Sequence, residues 1–182
     1  MERSVALIAI FAALIAALGL LPNLMLTSGV PITAQSLGVM LCGTVLGAKR
    51  GGLAVLLFVG LVALGLPLLS GGRGGLGVFA GPTMGFVVGF PIAAFTAGFV
   101  MEQLRSLPVG LAAGIAAAVG GILVLYVFGV AGFMMVLNKS LIETLTFFSV
   151  YIPGDIIKVV LTGLITSGLA RARPASVLSR TE

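Results

Sequence analysis

The sequence has 182 residues but no histidine, no tryptophan, one cysteine (Cys42) and only 8% charged residues. Without histidine, and with a single thiol, it offers no Cys/His zinc site, no His-ligated haem, no Cys/His dyad and no disulfide framework. Five carboxylates with no imidazole give no general-base relay. There is no GxxxxGK[ST] phosphate loop; the nearest string, Gly43-Thr44-Val45-Leu46-Gly47-Ala48-Lys49-Arg50, lacks the spacing and follows no strand, so the chain alone is not expected to hydrolyse ATP. A membrane hydrolase built from Ser140 or Ser149 with Lys158 would need its serine inside an apolar span, and neither lies in one. No catalytic residue, metal ligand or cofactor is therefore expected. The shortage of charge excludes still more. Soluble domains carry about 25% charged residues, whereas this chain is 59% apolar with a mean hydropathy of +1.28. Its formal charge of +5 comes from ten basic residues scattered among hydrophobic runs, which form no nucleic-acid surface. The 27 glycines follow no triplet period, which excludes collagen and suits close helix packing in a membrane. An all-α integral membrane protein is what remains.

Hydropathy predicts six spans, at about residues 5–21, 34–48, 53–69, 83–101, 108–130 and 153–170. A short polar stretch, Thr27 to Thr33, separates the first two, and Lys49-Arg50-Gly51-Gly52 reads as a tight charged turn. Residues 71–82 form a glycine-rich loop unsuited to helix, and Pro82 suits the first turn of the fourth span. Within 134–149, Leu137, Leu141, Leu145 and Phe148 recur with helical period, which predicts an amphipathic segment suited to the interface, either an ordinary helical connector or a lid over a site. An even number of spans puts both termini on one side. With the termini cytoplasmic, Arg3, Lys49, Arg50, Arg105, Arg171, Arg173 and Arg180 lie inside, and Arg73 and Lys139 outside. Seven against two obeys the positive-inside rule. A secretory signal peptide ending near Ala17-Leu18-Gly19 is the alternative, and would leave five spans.

With so little polarity, each polar residue at membrane depth is a candidate. Asp155 and Lys158 are three apart on the sixth span and share a face. Their unremarkable roles are a helix-start acid favoured by the dipole and a neighbouring or snorkelling cation. Arg73 lies in the glycine loop, where a solvated loop charge is the simple alternative. Gln35 opens the second span, where a cap or a water contact is the alternative. Two small-residue rows stand out: Gly77, Gly81, Gly85 and Gly89 through the start of span four, and Ala9, Ala13 and Ala17 along span one. Each suits packing within one chain, and the second equally suits docking of another membrane subunit.

Several strings resemble signatures of one family. They are Val30-Pro31-Ile32-Thr33-Ala34-Gln35-Ser36-Leu37-Gly38, Leu46-Gly47-Ala48-Lys49-Arg50-Gly51, Gly71-Gly72-Arg73-Gly74-Gly75-Leu76-Gly77, Gly81-Pro82-Thr83-Met84-Gly85-Phe86 and Pro153-Gly154-Asp155-Ile156-Ile157-Lys158. In this order, and across most of the chain, they resemble BioY, the biotin-specific membrane subunit of energy-coupling-factor (ECF) transporters. The resemblance implies a six-transmembrane-helix bundle in the bacterial cytoplasmic membrane that captures biotin from outside. It also implies a transmembrane coupling subunit and two cytoplasmic ATPase subunits as partners, with Ala9, Ala13 and Ala17 as the docking stripe. The family's site lies under the loops after spans one, three and five, which here carry Thr33 and Gln35, the run from Arg73 through Gly74 and Phe79 to Thr83, and Asp155 with Lys158. For biotin's ureido ring, apolar thiophane and valerate carboxylate, the resemblance suggests Asp155 as acceptor of a ureido N–H. Lys158 or Arg73 would face the carboxylate or the carbonyl, and Phe79, Phe86 and Tyr151 would form apolar walls. The start of span four near Pro82-Thr83 offers backbone N–H groups to an anion. Any wall that a Trp supplies in relatives must be Phe or Tyr here.

Other readings from the residues stay open. One is a structural or assembly subunit whose polar residues stabilise packing. Others are an unaided carrier without ATPase, as a single chain or a homo-oligomer, and a substrate-binding subunit for another small vitamin.

Overall fold

The computed structural model describes residues 2–25 and 30–180; the Thr27-Ser28-Gly29 part of the predicted polar stretch lies outside the described residues. The described chain is helical, with α1 (Glu2–Gly19), α2 (Gln35–Leu46), α3 (Ala48–Ala63), α4 (Met84–Gln103), α5 (Val109–Ala118), α6 (Leu125–Leu137), α7 (Leu141–Ser149) and α8 (Ile152–Ala172). A π-helical segment, Val119–Val124, joins α5 to α6, so that Val109–Leu137 runs as one helix of 29 residues. A two-residue antiparallel ladder pairs Leu24 with Ile32 and Met25 with Pro31, closing the loop between α1 and α2.

Among the described residues, three helices are long and apolar enough to cross a membrane: Met84–Gln103, Val109–Leu137 and Ile152–Ala172. Their outward faces carry Phe95, Phe99, Leu111, Leu123, Val127, Ile157 and Leu164, all exposed. Apolar side chains facing outward, with polar groups such as Gln35, Thr44, Asp155, Thr162 and Thr166 buried inside, is the pattern of a bundle solvated by lipid. Helix α4 is the hub, packed against α2, α3, α5 and α6. Its inner face is mostly small: Gly85, Gly89, Ala93, Ala94, Ala97 and Gly98 are buried. Helix α1 packs on α2 and α3 through Ala12 and Ile15. Ala9, Ala13 and Ala17 face outward and are exposed.

Several element boundaries differ from those read in the sequence. The reversal between spans two and three takes one residue, Gly47, whose φ of 85° favours glycine. Lys49-Arg50-Gly51-Gly52 is therefore the first turn of α3 and not a loop. Glu102, at the far end of α4, accepts the Ala48 N–H at 2.8 Å and so satisfies one of the orphan donors of that helix start. Helix α3 stops at Ala63, six residues before the predicted end, because Gly65 and Pro67 break the helical run. Pro82 precedes α4 and does not begin it, and Pro91 sits inside the helix.

The predicted fifth span continues to Leu137, because its apolar run does not end at Val130; Asn138, with φ 51°, closes it. The amphipathic segment 134–149 is thus split between the end of α6 and the separate helix α7. A capping box starts α7: Ser140 and Glu143 exchange side-chain and backbone bonds. Those bonds hold the Glu143 carboxyl below its usual range. Thr144 and Phe148 are its buried positions, while Leu141 and Leu145 are each 51% exposed, so of the predicted row Leu137, Leu141, Leu145 and Phe148 it is Phe148 alone that is buried. Half of the glycine row holds: a side chain at Gly85 would run into the Phe128 carbonyl and Gly129, and one at Gly89 into Phe128. Gly77 has open space around it, and Gly81 has almost nothing nearby. The basic tail is not free either. Val177, Leu178 and Ser179 are buried, Ser179 bonds the Thr44 carbonyl, and Arg180 donates to the Arg105 and Leu107 carbonyls. Burial and the nearby Arg105 charge lower the pKa of that Arg180 guanidinium.

Candidate functional site

Between the first turns of α2, α4 and α8 lies a pocket, with the loops after α1 and α3 on its other sides. Thr33, Gln35, Arg73, Thr83, Phe86, Tyr151, Asp155 and Lys158 all line it. The loops reach the pocket through specific bonds. Gly71 and Gly72, with φ of 79° and 69°, make the reversal that lets Leu69 and Arg73 bridge. Gln35 is 2% exposed and both of its amide N–H groups are used. It donates to the Ile15 and Leu68 carbonyls and accepts the Ser70 N–H. Gln35 therefore ties three segments together and has no amide donor left to offer. Thr33 accepts the Gln35 N–H at 3.3 Å, and Tyr151 donates its hydroxyl to the Val30 carbonyl at 2.5 Å, which holds the first loop over the pocket.

The pocket has two polar poles. At the first, Asp155 takes one short bond on each oxygen: Lys158 donates to Oδ1 at 2.8 Å and Tyr126 donates to Oδ2 at 2.6 Å. Lys158 also donates to Ser36 Oγ at 2.9 Å. The side chains of Asp155 and Lys158 are 11% and 14% exposed, so each charge depends on the other for compensation. An ammonium has three donors and a carboxylate about four acceptor sites. One Lys158 N–H and two acceptor sites of Asp155 thus remain, side by side, for a ligand with an adjacent acceptor and donor.

Below this pole the two helices stay in register. Ser36 meets Lys158, Met40 meets Thr162 at 3.7 Å, and Thr44 meets Thr166 at 3.1 Å. These rungs recur every fourth residue on both helices, so α8 is held against α2 one turn at a time.

Arg73 forms the second pole. Its Nε donates to the Ser70 carbonyl at 3.1 Å and its Nη1 to Thr83 Oγ1 at 3.3 Å. A guanidinium has five donors, so three stay available for an anion. Partial burial lowers the pKa of this group from its ordinary value, which still leaves it cationic at any physiological pH. The backbone at the start of α4 adds less than expected, because the Met84 N–H is taken by the Gly81 carbonyl. Apolar lining comes from Leu69, Phe86, Val87, Phe90 and Leu125. Phe148 of α7 backs this wall, edge-on to Phe86 at 5.3 Å and 80° and to Tyr126 at 6.0 Å and 63°.

Two expected residues do not reach the pocket. Gly74 lies where the loop crosses the Leu66–Pro67 backbone too closely for a side chain, and Phe79 packs on the main apolar core from the short helix Leu76–Ala80. Sequence reasoning missed Tyr126, Ser36 and Phe90. Tyr126 sits in an unbroken apolar run, and its one signal is rarity, since the chain has two tyrosines.

Comparison with known proteins gives consistent results. The BioY family model matches residues 2–175. A "Biotin transporter BioY" of Rhodobacter capsulatus is 53% identical, over 99% of this chain and all of that protein. One of Rhizobium etli is 48% identical over 90% of each. A crystal structure of the S-component for biotin from an ECF-type ABC transporter superposes with a TM-score of 0.88 at 31% identity, covering 93% of this chain and 92% of that one.

Proposed function

This chain belongs to the BioY family, and on that premise we propose that it captures biotin as the substrate-binding subunit of an ECF-type transporter. The observation that carries the reading is the two-pole pocket. Biotin is a polar ring and a carboxylate separated by apolar atoms, and the pocket offers a donor–acceptor pair, a separate cation and an apolar lining. Asp155 accepts a ureido N–H, and Lys158, held by Ser36, gives its remaining N–H to the ureido carbonyl. Arg73, steadied by Thr83, faces the valerate carboxylate; Phe86, Phe90 and Tyr151 flank the thiophane. Gln35 and Thr33 act by fixing the loops.

In this reading six segments cross the bacterial cytoplasmic membrane: α1, α2, α3, α4, the long helix Val109–Leu137 and α8. Both termini are cytoplasmic, and Arg73 and Lys139 lie outside. The three shorter helices span with help from their flanking loops. A transmembrane coupling subunit docks on Ala9, Ala13 and Ala17, whose exposure and small size allow close helix approach. Two ATPase subunits supply the energy. The test is biotin uptake by cells lacking any other route, with this chain expressed alone or with a coupling subunit and its ATPases. Uptake that requires the added subunits is expected. Equal uptake by the chain alone would favour an unaided carrier.

A further inference from the structure

The long helix Val109–Leu137 is interrupted by its π-helical segment, Val119–Val124. A π turn holds one residue more than an α turn, so all that follows is rotated by about 100° relative to an unbroken helix. Gly120 and Gly121 let this irregular stretch lie directly on Ala93 and Ala97 of α4 and on Met40 of α2. The next two residues, Leu125 and Tyr126, both line the pocket. The rotation thus aims the Tyr126 hydroxyl at Asp155, 29 residues further along the chain. Phe86 and Phe148 pack edge-on against the ring, so the hydroxyl cannot swing away without repacking both.

We propose that Tyr126, aimed by the π segment, is a specificity-determining residue: by engaging Asp155 Oδ2 it admits the single N–H of a neutral cyclic urea and disfavours the paired N–H fork of a guanidinium. The inference rests on the biotin reading of the pocket. A fork must take a site on both carboxylate oxygens at once, and with Lys158 on Oδ1 and Tyr126 on Oδ2 it would have to use the last site on each and share both oxygens with bonds already made. A single N–H needs only one of the acceptor sites that remain. Charge acts in the same direction, because Lys158 already neutralises the carboxylate and a second cation would enter without compensation. A tyrosine hydroxyl that merely finds a partner in an apolar helix would carry no such ligand preference.

The test uses the full-length purified chain and its Tyr126→Phe variant, with biotin and the cyclic guanidine 2-iminobiotin in its protonated form as probes. Removing the hydroxyl frees Oδ2 while keeping the ring. The affinity ratio of biotin to 2-iminobiotin is expected to fall about tenfold, mostly through tighter guanidinium binding. Tyr126→Met, which keeps apolar bulk in a different packing background, should shift the ratio the same way. Equal changes for both ligands in these variants would make Tyr126 a packing residue and overturn the proposal. If the parent binds neither ligand, the biotin reading fails first and takes this inference with it.

Discussion

Replacing Asp155 by Asn separates binding from folding. In the parent, both carboxylate oxygens accept, one from Lys158 and one from Tyr126. Asn has one acceptor and one donor group, so it can keep the Lys158 bond on its oxygen while its NH2 meets the Tyr126 hydroxyl, which can turn to accept. The fold loses the charge that compensates Lys158, whose side chain is 14% exposed. Leaving a buried charge unpaired costs about 3–5 kcal/mol at the extreme, and the retained oxygen and Ser36 reduce this. The ligand loses more selectively, because the acceptor sites of Oδ2 are gone and its N–H must share an uncharged amide oxygen with an ammonium. An unpaired buried donor costs about 1–3 kcal/mol, and more where a charge took part, which is about ten- to hundredfold or more in affinity. Equilibrium binding of labelled biotin to detergent-purified protein measures this, with thermal unfolding of the ligand-free variant as the folding control. An Asp155→Asn protein that stays monodisperse and binds biotin like the parent would refute the reasoning and reduce the pair to a helix-start ion pair.

Lys158 and Arg73 are separated by ligand chemistry: Lys158→Met should weaken biotin and biotin amide by the same factor, whereas Arg73→Met should weaken biotin about tenfold or more and the uncharged amide little. Equilibrium binding of both ligands reads this, and the reverse pattern would exchange the two poles. Gly85→Val should destabilise the protein by several kcal/mol, read as a lower Tm, because its side chain would displace the Phe128 carbonyl; Gly77→Ala, in open space, should change Tm little. Ala13→Trp should abolish co-purification with a coupling subunit and leave biotin affinity unchanged, whereas persistent association would make the alanine stripe no part of the interface. In a Cys42→Ala background, an impermeant thiol reagent on intact cells should label Arg73→Cys and Lys139→Cys; labelling of Lys49→Cys instead would invert the orientation.

Much of this was legible because lipid makes polarity rare. In an aqueous protein Asp155, Lys158 and Arg73 would be three charges among dozens, and here they stand out. The loops that carry them into one pocket follow from glycine and proline placement, which local rules describe well. Tyr126 was hidden for the opposite reason, since an apolar run is read for length and not for which side faces inward. The π segment adds a rotation that periodicity does not anticipate. Gln35 and Ser36 show the same limit at closer range: neighbours on α2 differ by about 100°, so one locks the loops and the other meets Lys158. The period-four pairing of Ser36, Met40 and Thr44 with Lys158, Thr162 and Thr166 is visible in the sequence only once the two helices are known to be neighbours. The buried tail escaped because three residues of short helix carry no period, and its basic ends suggested solvent.

The most direct test is titration of the purified, detergent-solubilised chain, with no other subunit present, against biotin and against unrelated small vitamins in competition. The account predicts saturable one-to-one biotin binding that the other vitamins do not displace and that Asp155→Asn weakens at least tenfold. A folded, monodisperse chain that shows no saturable biotin binding would contradict it.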